Sequence, residues 1–140
     1  MKTTLVLFDS PQESLNGLLR GVVALLLIVA FDAIWLTVMK NQYKSVITKV
    51  SGSNTGIRYQ YAIVSWIIIA SALAVQLPNS VYESMAYGAL AGFVMYGVFN
   101  TVNASIFSDW NIGVVLYDTA WGTFNCMITA IILYYIFHKE

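Results

Sequence analysis

Charge is scarce in this sequence. Lysine, arginine, aspartate and glutamate make up 10% of its 140 residues, where a soluble domain carries about 25%. The seven basic residues balance the seven acidic ones, so no excess of one sign calls for nucleic acid or an anionic surface as a partner. Cysteine occurs once, as Cys126 inside an apolar run, which excludes an internal disulfide and a Cys-based metal cluster. Histidine also occurs once, as His138 in the last few residues. Ser-His-Asp and Cys-His chemistry need a histidine beside the nucleophile, and no glycine-rich phosphate loop is present. The sequence therefore reads as no enzyme, with no catalytic residue, no metal ligand and no cofactor.

Apolar residues are what the chain has in abundance: 59% of it is hydrophobic, with a mean hydropathy of +0.71. Four runs stand out, at residues 18–39, 57–77, 82–107 and 112–137. Each reaches the roughly 20 residues that a helix needs to cross about 30 Å of hydrocarbon. Backbone groups in lipid must be satisfied within the segment, so these runs predict helices. The expected fold is all-α, an integral membrane four-helix bundle with up-down-up-down order over residues 18–137. A polar N-terminal extension (1–17) precedes it and a short tail (138–140) follows. The linkers are a polar segment from Lys40 to Gly56, a Pro78-Asn79-Ser80 turn, and Ser108-Asp109-Trp110-Asn111, built from residues that turn the chain and cap helices. Ser10-Pro11-Gln12-Glu13 has the form of a capping box and predicts a helix start there. Lys40, Lys44, Lys49 and Arg58 flank the first loop, against Lys2, Arg20 and Lys139 at the other side, a difference too small to orient the chain.

Ionisable groups inside a membrane span are costly and are functional candidates for that reason. Two occur, Asp32 and Asp118, in matching patterns: Phe31-Asp32-Ala33-Ile34-Trp35 and Tyr117-Asp118-Thr119-Ala120-Trp121. Each sets a tryptophan, Trp35 or Trp121, one helical turn from a carboxyl group. In the expected bundle both carboxyls fall towards one membrane face, where the third span brings Asn100 and Asn103. These groups are expected in a single polar layer roughly 6 to 10 Å from the midplane, with Asn125 on the same stripe as Asp118. Ser84, Gly88, Gly92, Tyr96 and Asn100 recur every fourth residue, and with Gly122 on the facing helix they predict close helix packing. Trp110, Tyr82, Tyr87, Tyr59 and Tyr61 are expected in an aromatic belt at the lipid interface.

Phe31 to Leu36, the stripe from Gly88 through Gly92, Tyr96 and Asn100 to Asn103, Trp110, and Tyr117 to Thr123 together resemble an uncharacterised family of small predicted membrane proteins. This domain of unknown function is found in bacteria and in some large DNA viruses. The resemblance runs from about Leu18 to Tyr135 and implies a four-helix membrane fold without an established activity. Two departures stand out: the polar extension, and Val98-Phe99-Asn100-Thr101-Val102-Asn103, where an acidic residue is expected close to Asn100.

The function expected from these observations is that of a structural, multi-pass membrane protein in contact with the lipid bilayer. Its extension would bind protein partners, and the viral occurrence of the family suggests a minor capsid component in the internal membrane of a virion. The alternative is a small carrier that handles protons or cations through Asp32 and Asp118.

Overall fold

In the computed structural model, residues 11–52, 58–76 and 78–138 are described. Among these the chain is all-helical, with α1 (Pro11–Val38), α2 (Lys40–Ser51), α3 (Tyr59–Val75), α4 (Val81–Ile106) and α5 (Ile112–Phe137). Three segments, Gln12–Val38, Val81–Ile106 and Ile112–Phe137, are long and apolar enough to cross a membrane. The 17 residues of α3 extend about 26 Å, somewhat less than the roughly 30 Å of a hydrocarbon core. Helix α1 runs from Pro11 into the first apolar run without a break. Ser10, the cap of the expected capping box, lies with the rest of residues 1–10 outside the described residues, while Pro11, Gln12 and Glu13 open α1.

The segment expected as a polar linker holds a helix. Tyr43, Val46, Ile47 and Val50 follow the i, i+3, i+4, i+7 spacing of an amphipathic helix, which a reading for spans passes over because Lys40, Lys44 and Lys49 dilute its hydropathy. Of that apolar face Val46 is buried. Helix α2 stops at Gly52, whose φ of 66° is left-handed and whose N–H returns to the Thr48 carbonyl, as glycine C-caps do. The short connections carry side-chain caps. Ser80 accepts from the Glu83 N–H at 3.2 Å while the Glu83 carboxylate accepts from the Asn79 N–H at 3.0 Å, and Asn111 accepts from the Val114 N–H at 3.0 Å.

Packing is inverted relative to a soluble protein. Leu26, Leu90 and Ile112 are 66%, 63% and 69% exposed, while Ser84, Asn100, Asn125 and Thr129 are fully buried. Many large apolar side chains face outwards, while polar and small residues share the interior with Ile28, Leu73 and Leu133, as expected where lipid is the solvent. Helix α4 packs most closely on α5, and α1 lies against both α3 and α5. The α4–α5 contact is a glycine contact. A Cβ on Gly88 would sit 2.5 Å from the Cys126 carbonyl oxygen and 2.7 Å from the Ala130 Cβ, and one on Gly92 would run into the Gly122 carbonyl. Gly122 in turn leaves room for the ring of Tyr96.

Because the obstruction at Gly92 is backbone, the helices must separate to accept a side chain. Gly92→Ala is expected to cost about 1–3 kcal/mol, the usual penalty of overpacking, measured by thermal unfolding in detergent. Ile68→Leu, on a residue 60% exposed, is expected to leave the midpoint unchanged.

Candidate functional site

Asp32 on α1 and Asp118 on α5 are both buried, at 8% and 5% exposure. Asp32 accepts hydrogen bonds from Trp66 Nε1 of α3 at 2.8 Å, Tyr96 Oη of α4 at 3.2 Å and Asn125 Nδ2 of α5 at 3.0 Å. Asp118 accepts from Trp35 Nε1 of α1 at 3.0 Å, Asn100 Nδ2 of α4 at 2.7 Å and Tyr43 Oη of α2. Each carboxylate thus holds one indole, one phenol and one carboxamide, and the two sets join all five helices. Among the described residues neither carboxylate has a lysine or arginine partner; every group bonded to it is a neutral donor.

Further bonds fix the amides. Asn100 Oδ1 accepts from Trp110 Nε1 at 3.2 Å and Asn125 Oδ1 accepts from Thr129 Oγ1 at 3.4 Å, so in both residues the NH2 group is the end that turns to the aspartate. Moving one carboxylate out of water costs several kcal/mol. Three bonds to a charged acceptor, each about 1.5–3 kcal/mol, are of the size needed to offset that.

The six groups form two tiers. The tier of Asp118 holds Trp35, Tyr43 and Asn100, and the tier of Asp32 holds Trp66, Tyr96 and Asn125. Tyr96 and Asn100 are consecutive donors on one face of α4, four residues and hence about 6 Å apart along the axis. The single layer expected from the sequence is therefore split. Asn103 belongs to neither tier: its amide donates to the Phe99 carbonyl of its own helix at 2.9 Å. Neither Asp-x-x-Trp element pairs within itself, and Trp35 serves Asp118 rather than Asp32. Trp121 donates to no carboxylate; it stacks on Trp35 with centroids 5.0 Å apart and planes 6° from parallel, and its buried Nε1 has no partner among the described residues.

Two aromatics assigned to the belt have other work. Trp110 donates to Asn100, and the hydroxyl of Tyr87 donates to the Ala72 carbonyl; Tyr59, Tyr61 and Tyr82 are 66%, 58% and 76% exposed. The sequence reading missed Trp66, Tyr43 and Tyr96 as partners of the carboxylates. Trp66 had a signal: it stands mid-span, away from the interface where tryptophans collect, and a buried indole N–H needs an acceptor. Tyr43 lay hidden with the helix that carries it.

What the arrangement does chemically is to offer acceptors to donors. Among the described residues no three His, Cys, Asp or Glu side chains come together. Tyr43, on α2 and outside the spans, has its ionisation pushed far up, first by burial and then by the hydrogen bond to Asp118. It therefore stays a neutral donor at any working pH. A raised value means that its contribution to stability is whole below the ordinary value of 10.0 and is lost only as pH climbs from there towards the folded-state value. Tyr43→Phe is expected to cost about 1.5–3 kcal/mol, the worth of a bond to a charged acceptor. Hydrogen exchange should speed up in α2 while the α4–α5 pair stays protected.

A family model described as "Predicted membrane protein (DUF2177)" matches residues 18–135. No curated protein and no solved structure matches the chain.

Proposed function

We propose a function for a chain that belongs to the DUF2177 family of predicted membrane proteins: it is a non-enzymatic structural protein, a four-helix up-down-up-down membrane bundle whose buried aspartates lock helix positions. The reading counts α3 as the fourth span; Ile57 and Leu77, which bound the apolar run 57–77 in the sequence, lie outside the described residues. The observation that carries it is the donor set. Among the described residues every partner of Asp32 and Asp118 is an N–H or O–H, and those partners sit on other helices. A cation site needs the opposite, converging oxygen acceptors with a position left for the ion.

The structural reading takes its most specific form from the resemblance, as a membrane-embedded minor capsid component in the internal membrane of a large DNA virus, bound to partners through residues 1–17. The support for that form is the family's occurrence alone. The carrier reading keeps one observation in its favour: two carboxylates in the bundle without a cationic partner among the described residues.

A flux assay separates the two. Protein reconstituted in liposomes is expected to pass neither protons nor cations faster than empty liposomes. In parallel, Asp118→Asn should lower the thermal midpoint, because a carboxamide turns its own NH2 towards groups that already donate; the loss of one or two bonds costs about 1–3 kcal/mol each. Robust wild-type flux that disappears in Asp32→Asn and Asp118→Asn, with stability unchanged, would overturn the structural reading.

A further inference from the structure

At the end of the bundle away from the aspartates, α1 and α3 part to leave an open groove of about 850 Å³. Its origin is a mismatch of length. Helix α1 has 28 residues, about 42 Å, which exceeds the hydrocarbon thickness by about 12 Å. Its other end turns at Met39 into the lysine-bearing α2, so the excess falls in the first turns, at headgroup level. Helix α3 ends at Val75. Near that end the pair meets at Gly21 and Ala74, where a Cβ on the glycine would lie 4.0 Å from that of Ala74.

The groove is graded in polarity. Leu25, Ile67 and Ala70 line its inner part, while Asn16 and Arg20 line its outer part. Its flanks Leu18 and Val75 are 65% and 63% exposed, so it opens sideways to the membrane. Among the described residues Arg20 makes one hydrogen bond, from Nε to the Asn16 carbonyl of its own helix at 3.4 Å, and its two Nη groups have no partner there. A guanidinium with its fork open at the headgroup level, above an apolar trough, matches one chemistry in both halves: a phosphate carrying an acyl chain. Arginine near a helix end also reaches such a level by extending its stem along the helix.

We infer that this groove is a phospholipid site, with the phosphate on Arg20 and an acyl chain along Leu25, Ile67 and Ala70. Glu13 shares the rim about 10 Å further out along α1, beyond the phosphate. Phosphatidylethanolamine, a phosphodiester carrying two acyl chains, supplies both halves of that chemistry.

The test uses the full chain in detergent, with retained lipid counted by native mass spectrometry and the thermal midpoint followed in parallel. Phosphatidylethanolamine is expected to bind and raise the midpoint, whereas diacylglycerol, without the phosphate, and glycerophosphoethanolamine, without the chains, should do neither. Arg20→Gln should weaken binding about tenfold, as loss of a charge-assisted bidentate contact does. Ser71→Phe, on an exposed residue of the groove wall, should fill the trough and abolish binding. Lys44→Gln, on α2 at the far end, should leave it intact. Wild-type binding in Arg20→Gln would overturn the site even if Ser71→Phe failed to fold. So would equal retention of diacylglycerol, or a full response to glycerophosphoethanolamine alone.

Discussion

An anion taken out of water must be given donors, and that constraint organises this bundle. A carboxylate has two oxygens with about four lone-pair positions and nothing to donate. It can therefore take three N–H or O–H groups from three directions without asking for anything in return. Asp32 and Asp118 each do so, and because the donors stand on different helices, satisfying the charge and assembling the helices become one event. A neutral asparagine at either position would present a donor to a ring of donors. This explains why the hubs are acids and their partners amides, indoles and phenols.

The glycine contact between α4 and α5 follows from the same requirement. For Tyr96 to reach Asp32 its ring must cross the face of α5, and it does so over Gly122; for Asn100 to reach Asp118 at 2.7 Å the two backbones must be close. Gly88 and Gly92 allow that approach where any Cβ would meet backbone atoms of α5. Interhelical hydrogen bonds between neutral groups in membranes contribute under about 2 kcal/mol apiece, and those to a charged acceptor about 1.5–3. Close packing and bonding must then act together, the stripe fixing the separation at which the donors are in range.

The sequence shows most of this scheme at the level of individual helices and less of it between them. The apolar runs mark α1, α4 and α5 because length and composition suffice for a span. The two aspartates stand out because charge is costly in lipid, and the four-residue repeat from Ser84 to Asn100 marks the buried face of α4. Pairing across helices is not written in local spacing. Asp32-x-x-Trp35 reads as a unit along α1, yet Trp35 turns to Asp118, a choice set by how α1 and α5 meet. Asn100 and Asn103 both stand near the end of α4, but three residues turn a helix by about 300°, and only Asn100 keeps the register of the stripe. Helix α2 was obscured by its lysines, although the spacing of Tyr43, Val46, Ile47 and Val50 was present in the sequence.

The two ends of the molecule thus differ in how the chain meets the polar boundary of the membrane. At the aspartate end the chain supplies its own cover: α2 follows α1 through the single residue Met39, which is buried and accepts the Tyr43 N–H at 3.0 Å, and Tyr43 completes the Asp118 set from above. At the opposite end α1 outruns α3, and small residues on the facing surfaces leave a trough where the other end has a helix. A buried acid needs enclosure, because water admitted to it would compete for every donor that ties the helices together. Arg20 needs the reverse. Its charge is accommodated by reaching the interface, so the wall beside it stays open to the surrounding lipid.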